Sequence, residues 1–188
     1  NYGGPPPGVK GVLLDDVRVP SANLLGGEEK LEARLARARE GKSSKTQAAM
    51  STFEASRPLV GAQALGIARA AYEYSLDYAK EREQFGRKII ENQAIAFKLA
   101  DMKMEIDAAR LLVWRACWMG ANGKPFENGE GSMSKLKAGE VAVWATEQAI
   151  QILGGYGYIR EFFFFNDTAT TEIYTLFEGT SEIQRLVV

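Results

Sequence analysis

The chain has 188 residues, of which 46% are hydrophobic, with 23 Lys and Arg, 24 Asp and Glu, no His and one Cys. This length suits one domain, with room for a fragment of a second. A formal net charge of −1 provides no broad basic surface, so we expect no nucleic-acid partner. No apolar stretch approaches the roughly 20 residues that span a bilayer, so we expect no membrane partner. The lack of His excludes His-dependent catalytic pairs and imidazole ligands, so we predict no metal site and acid–base chemistry by Asp, Glu, Lys or Tyr.

The lone cysteine, Cys117, cannot form an internal disulfide. It lies between Ala116 and Trp118, an apolar context that predicts a small buried thiol. Such a composition is typical of a reducing compartment, either the cytoplasm or, in a eukaryote, the mitochondrial matrix.

The N-terminal part divides into two segments. Residues 1–26 are rich in Gly and Pro, but an apolar run ending at Pro20 predicts a strand without a partner in this chain. The run consists of Val12, Leu13, Leu14, Val17 and Val19. Residues 27–46 are highly charged, with Leu31 and Leu35 one helical turn apart. They predict either a solvated helix or a plain connector, and we favour the connector.

From about residue 47, apolar residues recur at spacings of three and four, the period of amphipathic helices. The first helix carries Val60, Ala64, Ile67, Ala71, Tyr74 and Tyr78. The second carries Ile95, Leu99, Met102, Ile106, Ala109 and Val113. The third carries Ala138, Val141, Ala145, Ala149 and Ile152. Helices of this length predict an antiparallel bundle, and their alanine-rich faces predict close helix approach.

Four residues mark the expected helix ends. Pro58 lies in the N-terminal part of the first helix, which should begin or kink there because Pro lacks a backbone N–H. Ser132 is a favourable N-cap for the third helix. That helix should stop at Gly154 and Gly155, as helices commonly do at glycine.

The helix ends and the C-terminus carry more specific patterns. They are REQFG at 82–86, ENQAIAFKLADM at 91–102, QILGGYGY at 151–158 and LFEGTSEIQR at 176–185. In their order and spacing these segments resemble the acyl-CoA dehydrogenase family. The resemblance implies a mainly α fold, an antiparallel helical bundle like the family's C-terminal domain, with a short N-terminal β remnant. It implies three parts, a remnant of the central β domain, a charged linker and the C-terminal helical bundle domain, at residues 1–26, 27–46 and 47–188.

The resemblance also implies an FAD-dependent oxidoreductase. Such enzymes dehydrogenate acyl-CoA thioesters between the α and β carbons and pass the electrons to an electron-transfer flavoprotein. On this interpretation the chain is a fragment that lacks the N-terminal helical domain and most of the β domain. We expect a homodimer or homotetramer whose flavin site is shared across a dimer interface.

Glu178 matches the family's catalytic base, which removes the α-proton while the β-hydrogen leaves as hydride to the flavin. A base for so weak an acid needs a carboxyl pKa raised by desolvation, and the neighbouring Phe177 would help to exclude water. From the residues alone, a carboxylate before a helix start is more often a cap or a solvated group. Some relatives carry the base on the first long helix, where this chain has Ser56, so Glu178 is the better candidate.

The resemblance also assigns binding residues. Those for substrate are Glu54, Ser56, Arg57 and Gly179. Those for the cofactor are Arg82, Gln84, Asn92, Gln93, Gln151, Gly154, Gly155, Thr180 and Ser181. Arg82 suits the FAD phosphates because a forked, permanently charged donor matches phosphate oxygens, although by position alone it would stabilise a helix dipole. Gln151, Gly154 and Gly155 would reach FAD from the neighbouring subunit.

One segment departs from the family pattern. Residues Phe162–Glu172 read FFFFNDTATTE where the family has charged helix residues, and four consecutive Phe predict an apolar, aggregation-prone segment. Two alternatives to a dehydrogenase stay open. One is an acyl-CoA oxidase relative, which would use the same base but reoxidise the flavin with O₂. The other is a non-catalytic helical oligomerisation module.

Overall fold

A computed structural model describes residues 13, 15–24, 26–39, 47–159, 181 and 185. The chain divides into two units, Asn1–Gln47 and Ala48–Val188. In the first unit a 3-10 turn at Ser21–Asn23 precedes helix α1, Gly27–Arg39. Acidic residues in its first turn and basic residues in its last turn complement the helix dipole. The charged segment therefore forms the solvated helix over residues 27–39. Its role as a connector between domains stays a prediction.

The N-terminal apolar run does not form the expected strand in its described residues, Leu13 and 15–20. Leu13 is 91% exposed, and Val17 and Val19 are also exposed. A strand needs a neighbour that satisfies its backbone N–H and C=O groups. The sequence offered no partner for this run, and its described residues accordingly stay outside any sheet.

Over residues 47–159 the second unit forms three long helices and a small hairpin. The helices are α2, Gln47–Glu81; α3, Gln93–Ala121; and α4, Glu130–Leu153. Between α2 and α3, strands β1, Glu83–Gln84, and β2, Arg87–Lys88, pair antiparallel. Short 3-10 turns follow at Ile89–Glu91 and, after α4, at Gly154–Tyr158. The mainly α architecture is as predicted from the sequence.

All three long helices contribute to one apolar core. The predicted stripe of α4 is fully buried, and that of α3 is buried except for Ile95, which packs at its edge. In α2 the core face is mostly alanine, whereas the predicted Tyr74 is 40% exposed. Small side chains let the helix backbones approach closely, as the alanine-rich faces predicted. Within the described parts of the chain, no helix has the length and apolarity needed to cross a membrane.

Three local predictions were wrong in whole or in part. Helix α2 does not begin at Pro58 but runs through it, while the alternative of a kink at Pro58 stays a prediction. The proline ring is fully buried, which contributes apolar stabilisation there. Helix α4 begins at Glu130 with Gly129 as its N-cap, so Ser132 lies inside the helix and not at its cap. Cys117 is exposed, because it lies one residue beyond the buried Ala116 and so turns off the core face of α3.

Candidate functional site

A cleft of about 520 Å³ lies where the end of α2 and the β1–β2 hairpin meet the end of α4. Four predicted cofactor residues line it, namely Arg82, Gln84, Gly154 and Gly155. The other lining residues are Tyr78, Phe85, Ile89, Ile152, Leu153, Tyr156 and Ile159. A volume of this order is typical of sites for small molecules. The fold therefore brings two sequence motifs that are far apart along the chain to one concave surface.

The hairpin fixes one wall of the cleft. The Arg82 N–H donates to the Tyr78 carbonyl at 2.8 Å as α2 ends, and the Arg82 carbonyl accepts from the Ile89 N–H at 2.9 Å. The connecting residues, Phe85 and Gly86, have φ values of 57° and 76°. Two-residue hairpin turns of type I′ need positive φ at both positions, which Gly adopts freely and a bulky residue does not. Phe85 is thus held in a strained conformation at the cleft while its side chain is 93% exposed.

The end of α4 supplies the opposite wall. The helix stops at Leu153, and the C-cap Gly154, with φ of 59°, donates its N–H to carbonyls of the last turn. The chain then turns through Gly154–Tyr158. This turn places Gly155 and Tyr156 beside the hairpin, so the predicted helix stop at Gly154 is confirmed.

Arg82 lies against an aromatic pair. Its guanidinium carbon is 5.4 Å from the centre of the Tyr156 ring, within the range of a cation–π contact. Tyr78 meets Tyr156 edge to face, with ring centres 6.2 Å apart and planes at 63°. Burial raises the pKa of the Tyr78 phenol, and this outweighs the lowering by Arg82. Tyr78 is therefore a neutral hydroxyl at neutral pH.

Apart from the cleft, a polar cluster is buried between α2 and α4. It consists of Glu54, Arg57 and Ser132. One carboxylate oxygen of Glu54 accepts the Ser132 N–H at 2.9 Å, and the other accepts the Ser132 hydroxyl at 2.7 Å. Arg57 pairs with the same carboxylate and donates to the Ser132 Oγ at 2.6 Å. The Glu54 and Arg57 side chains are 12% and 4% exposed. This buried cluster links the two helices by charge-assisted hydrogen bonds.

Gly131 allows the helices to meet at this buried cluster. A Cβ at Gly131 would overlap the backbone carbonyl oxygen of Glu54 and lie 3.0 Å from its carboxylate. Only glycine fits such a close backbone approach. Two of the predicted substrate residues, Glu54 and Arg57, are therefore part of a tight helix crossing and do not line the cleft.

The remaining described candidates do not line the cleft. Ser56 is half-buried on α2, and its hydroxyl donates to the Phe53 carbonyl at 3.1 Å. Asn92 precedes α3 and accepts a hydrogen bond from Arg87 at 2.6 Å. Gln93 and Gln151 are exposed residues at the start of α3 and the end of α4.

The C-terminal candidates are only partly described. Glu178, Gly179 and Thr180, like the Phe162–Glu172 segment, lie outside the described residues. Ser181 is helical and half-buried. Arg185 forms an ion pair with Glu140 of α4.

Sequence reasoning missed three aromatic residues of the cleft. Phe85 belongs to the quoted REQFG segment and Tyr156 to QILGGYGY, yet neither was assigned a role. Tyr78 was assigned only to a helix face, whereas it also lines the cleft. Both Phe85 and Tyr156 lie in segments whose polar and glycine residues were already assigned to the cofactor. That position was the signal that could have indicated a role for them.

Comparison with known proteins identifies the family. The model of the family described as "Acyl-CoA dehydrogenase, C-terminal domain" matches residues 46–188. The chain belongs to the acyl-CoA dehydrogenase family. It is 45% identical over 177 residues to the probable acyl-CoA dehydrogenase YngJ of Bacillus subtilis, covering 94% of this chain and 43% of that protein.

Solved structures of the family agree with the fold. Butyryl-CoA dehydrogenase from Megasphaera elsdenii is 43% identical with a TM-score of 0.72, over 76% of this chain and 37% of that chain. PigA with FAD and proline is 32% identical with a TM-score of 0.67, over 70% and 34%. This acyl-CoA dehydrogenase family chain thus spans about two-fifths of the length of the curated relative it matches.

Proposed function

We propose that this chain serves an FAD-dependent acyl-CoA dehydrogenase, an oxidoreductase that desaturates acyl thioesters between the α and β carbons. The observation that carries the proposal is the cleft, which collects Arg82, Gln84, Gly154 and Gly155 in one protomer. The family resemblance assigns the same four residues to the cofactor. PigA, which this chain resembles, has been solved with FAD, and this supports the choice of cofactor.

The residues of the cleft fit the diphosphate part of FAD. Arg82 offers a planar, permanently charged donor that matches phosphate oxygens. The absence of side chains at Gly154 and Gly155 allows close approach of a ligand. Because all of these residues line one cleft, we propose that Arg82 and Gln84 approach the cofactor from the same protomer as Gly154 and Gly155. The other protomer of the dimer would then complete the shared flavin site.

FAD supplies a hydride acceptor for the β-hydrogen when it is bound. We propose that the carboxylate of Glu178 takes the α-proton, so that the loss of a proton and a hydride leaves a carbon–carbon double bond. Gly179, Thr180 and Ser181 would hold the substrate and cofactor next to this base. Asn92, Gln93 and Gln151, at the edges of the cleft region, are proposed to contact the cofactor beyond the diphosphate.

We propose that Glu54, Ser56 and Arg57 affect substrate binding indirectly, by fixing the position of α2. Glu54 and Arg57 hold this helix against the start of α4 through the buried cluster. The family resemblance assigns these residues to substrate binding. The buried cluster would restrain the helix that carries them and so stabilise the shape of the substrate site. Their effect on the substrate is therefore expected in binding rather than in proton transfer.

Self-association is proposed through the long helices. Helix α3 carries a row of exposed apolar residues, Phe97, Met104, Leu111, Trp114 and Trp118. A row of this kind supports a protein interface, and obligate interfaces commonly bury about 2,000 Å² or more. We propose a homodimer or homotetramer, with acyl-CoA as substrate and an electron-transfer flavoprotein as electron acceptor. A monomeric mass in light scattering at micromolar concentration would contradict the assembly.

The test joins this chain to the N-terminal part of the Megasphaera elsdenii butyryl-CoA dehydrogenase and measures flavin reduction by butyryl-CoA without oxygen. Glu178→Gln keeps the shape of the side chain but removes the proton acceptor, so reduction should slow by about 10²- to 10⁴-fold with FAD still bound. Glu182→Gln is the matched control and should reduce normally. Near-normal reduction by Glu178→Gln would contradict its assignment as the catalytic base.

The same chimera separates the alternatives. A dehydrogenase should keep its reduced flavin in air until an electron-transfer flavoprotein is added, whereas an oxidase relative should produce hydrogen peroxide at once. A non-catalytic oligomerisation module should give a colourless protein. The 188-residue chain alone is expected to hold FAD weakly or not at all, because by resemblance the flavin ring rests on the β domain. Stoichiometric yellow protein from that chain would contradict this expectation.

A further inference from the structure

We propose that Tyr156 is a positioning residue for Arg82, holding its guanidinium at the cleft where it can bind the diphosphate of the cofactor. The inference rests on the proposed function of the cleft. It goes beyond that function because no part of the family resemblance assigned Tyr156 a role.

The geometry of three side chains carries the inference. The Arg82 guanidinium carbon lies 5.4 Å from the Tyr156 ring centre, and Tyr78 supports the same ring edge to face at 6.2 Å. All three side chains line the cleft. Tyr156 is 41% exposed, so its ring is neither locked in the core nor free in solvent. The pair Tyr78 and Tyr156 therefore forms a platform on which the arginine lies at the cleft wall.

An aromatic platform restrains an arginine without neutralising it. Arg57 in the buried cluster is paired with a carboxylate, which uses its donors and cancels its charge. Arg82 forms no ion pair with any residue that the structure describes. A ring face attracts the cation while its N–H donors, which lie in the guanidinium plane, stay available for a ligand. Tyr156 thus lowers the entropy of the side chain before an anion arrives, which favours binding.

The local backbone fixes Tyr156 relative to Arg82. Tyr156 lies in the 3-10 turn Gly154–Tyr158, directly after the end of α4. Arg82 is tied to α2 and to the residue after the hairpin by two backbone hydrogen bonds, to Tyr78 and from Ile89. Both ends of the cation–π contact are therefore attached to regular structure rather than to a long loop.

The first experiment measures the contact itself in the 188-residue chain. The Arg82 Nε–H proton should show an upfield ring-current shift in its NMR spectrum, because the guanidinium lies over a ring. Tyr156→Phe keeps the ring and should keep the shift, whereas Tyr156→Leu should abolish it. An unshifted wild-type signal, or a shift that survives in Tyr156→Leu, would overturn the proposal without any ligand.

The second experiment titrates ADP, the adenosine diphosphate part of FAD, into the same chain and follows binding by NMR. Tyr156→Leu should weaken ADP binding about three- to fivefold, whereas Tyr156→Phe should stay within about twofold of wild type. In an Arg82→Gln background, Tyr156→Leu should cause no further loss, because the residue acts through the arginine. Tyr158→Leu, an 85% exposed tyrosine outside the cleft lining, is the control and should bind ADP normally.

The outcomes separate this inference from the proposed function. If the wild-type chain and its Arg82→Gln variant bind ADP equally, the assignment of the cleft to a diphosphate is wrong and the inference fails with it. If neither binds ADP, the same titration in the flavin-free chimera decides, and equal or absent binding there overturns both. If Arg82→Gln weakens binding but Tyr156→Leu does not, or weakens it equally in both backgrounds, the cleft assignment stands and only the positioning role of Tyr156 is overturned.

Discussion

Arg57 lies in α2 and Arg82 directly follows the end of this helix, yet the two side chains have different surroundings. Arg57 is buried and paired with Glu54, and it also donates to Ser132 of another helix. Arg82 lies just past the end of α2 against the Tyr156 ring, at the wall of the cleft. A carboxylate partner neutralises the charge of an arginine and occupies its N–H donors. An aromatic partner leaves the charge and the donors available to a ligand. We therefore expect substitutions in the buried cluster to change stability and substitutions at the cleft to change binding.

The largest effect on stability is expected from Arg57→Leu. This change leaves the buried Glu54 carboxylate with hydrogen bonds from Ser132 but without its cation. Breaking a buried ion pair on one side costs about 3–5 kcal/mol, which urea unfolding monitored by circular dichroism would measure.

Two comparisons give this prediction its control. Arg69→Leu breaks an exposed pair with Glu73 on the same helix and should leave the urea midpoint almost unchanged. The double variant Glu54→Met with Arg57→Met removes both charges and should recover much of the loss. If Arg57→Leu and Arg69→Leu proved equally mild, the buried cluster would not hold the helices together.

The next largest effect is expected from Gly131→Ala, which tests the crossing of α2 and α4. The new Cβ would overlap the backbone carbonyl of Glu54, so a helix must shift, at a cost of about 1–3 kcal/mol. Gly66→Ala is the matched control, since Gly66 is an exposed glycine of α2 and a methyl group added there would meet no other side chain or helix. It should stabilise the chain by about 0.4–1 kcal/mol. Thermal unfolding of both variants should therefore shift in opposite directions.

These contrasts also show what the sequence could and could not predict. The periodic stripes of α3 and α4 predicted the core because burial of a helix face follows directly from apolar spacing. The role of Ser132 was missed because its partner, Glu54, is distant in sequence, and a tertiary hydrogen bond overrode a local capping preference. The β1–β2 hairpin was missed because two-residue strands carry no periodicity.

The candidate site was predictable only in part. Arg82, Gln84, Gly154 and Gly155 were selected by resemblance, and the structure brings them to one cleft. The predicted antiparallel bundle places the C-terminal ends of α2 and α4 at the same end, but helix periodicity does not predict which side chains touch there. The contact of Tyr156 with Arg82 depends on this packing, so no local signal could have assigned it.

A smaller effect of opposite sign is expected at the cleft. Phe85 has a left-handed backbone, which costs a non-glycine residue about 1–2 kcal/mol, and its exposed ring recovers little by packing. Phe85→Asn creates an Asn-Gly pair, the preferred sequence of this turn, and should raise the free energy of unfolding by about 1 kcal/mol. If the strain serves the cleft, ADP binding should weaken in this more stable variant. Lower stability would show that Phe85 is not a net source of strain, and unchanged ADP binding would show that its conformation has no role in the cleft.

The smallest effect concerns Glu130, the buried first residue of α4, next to Gly131 of the helix crossing. Burial raises the pKa of its carboxyl, but hydrogen bonds from its own N–H and from Asn128, with the charge of Arg115, outweigh burial and bring the pKa below its usual range. Asn128 donates its backbone N–H at 3.1 Å and its side chain at 3.2 Å. The folded state thus binds the proton of this group less tightly than the unfolded state does.

The sign of the pH dependence follows from linkage. A carboxyl with a lowered folded pKa stabilises the protein above its unfolded pKa, which for glutamate is about 4.3, and loses that contribution as pH falls through the folded pKa. Glu130→Gln cannot ionise, so its unfolding free energy should fall less steeply than that of wild type between about pH 5 and about pH 2. Glu147→Gln, at an exposed position of the same helix, is the control and should follow wild type. Parallel curves for wild type and Glu130→Gln would mean that the acid sensitivity of this end of the bundle comes from other carboxylates, and that Asn128 binds Glu130 equally well in either protonation state.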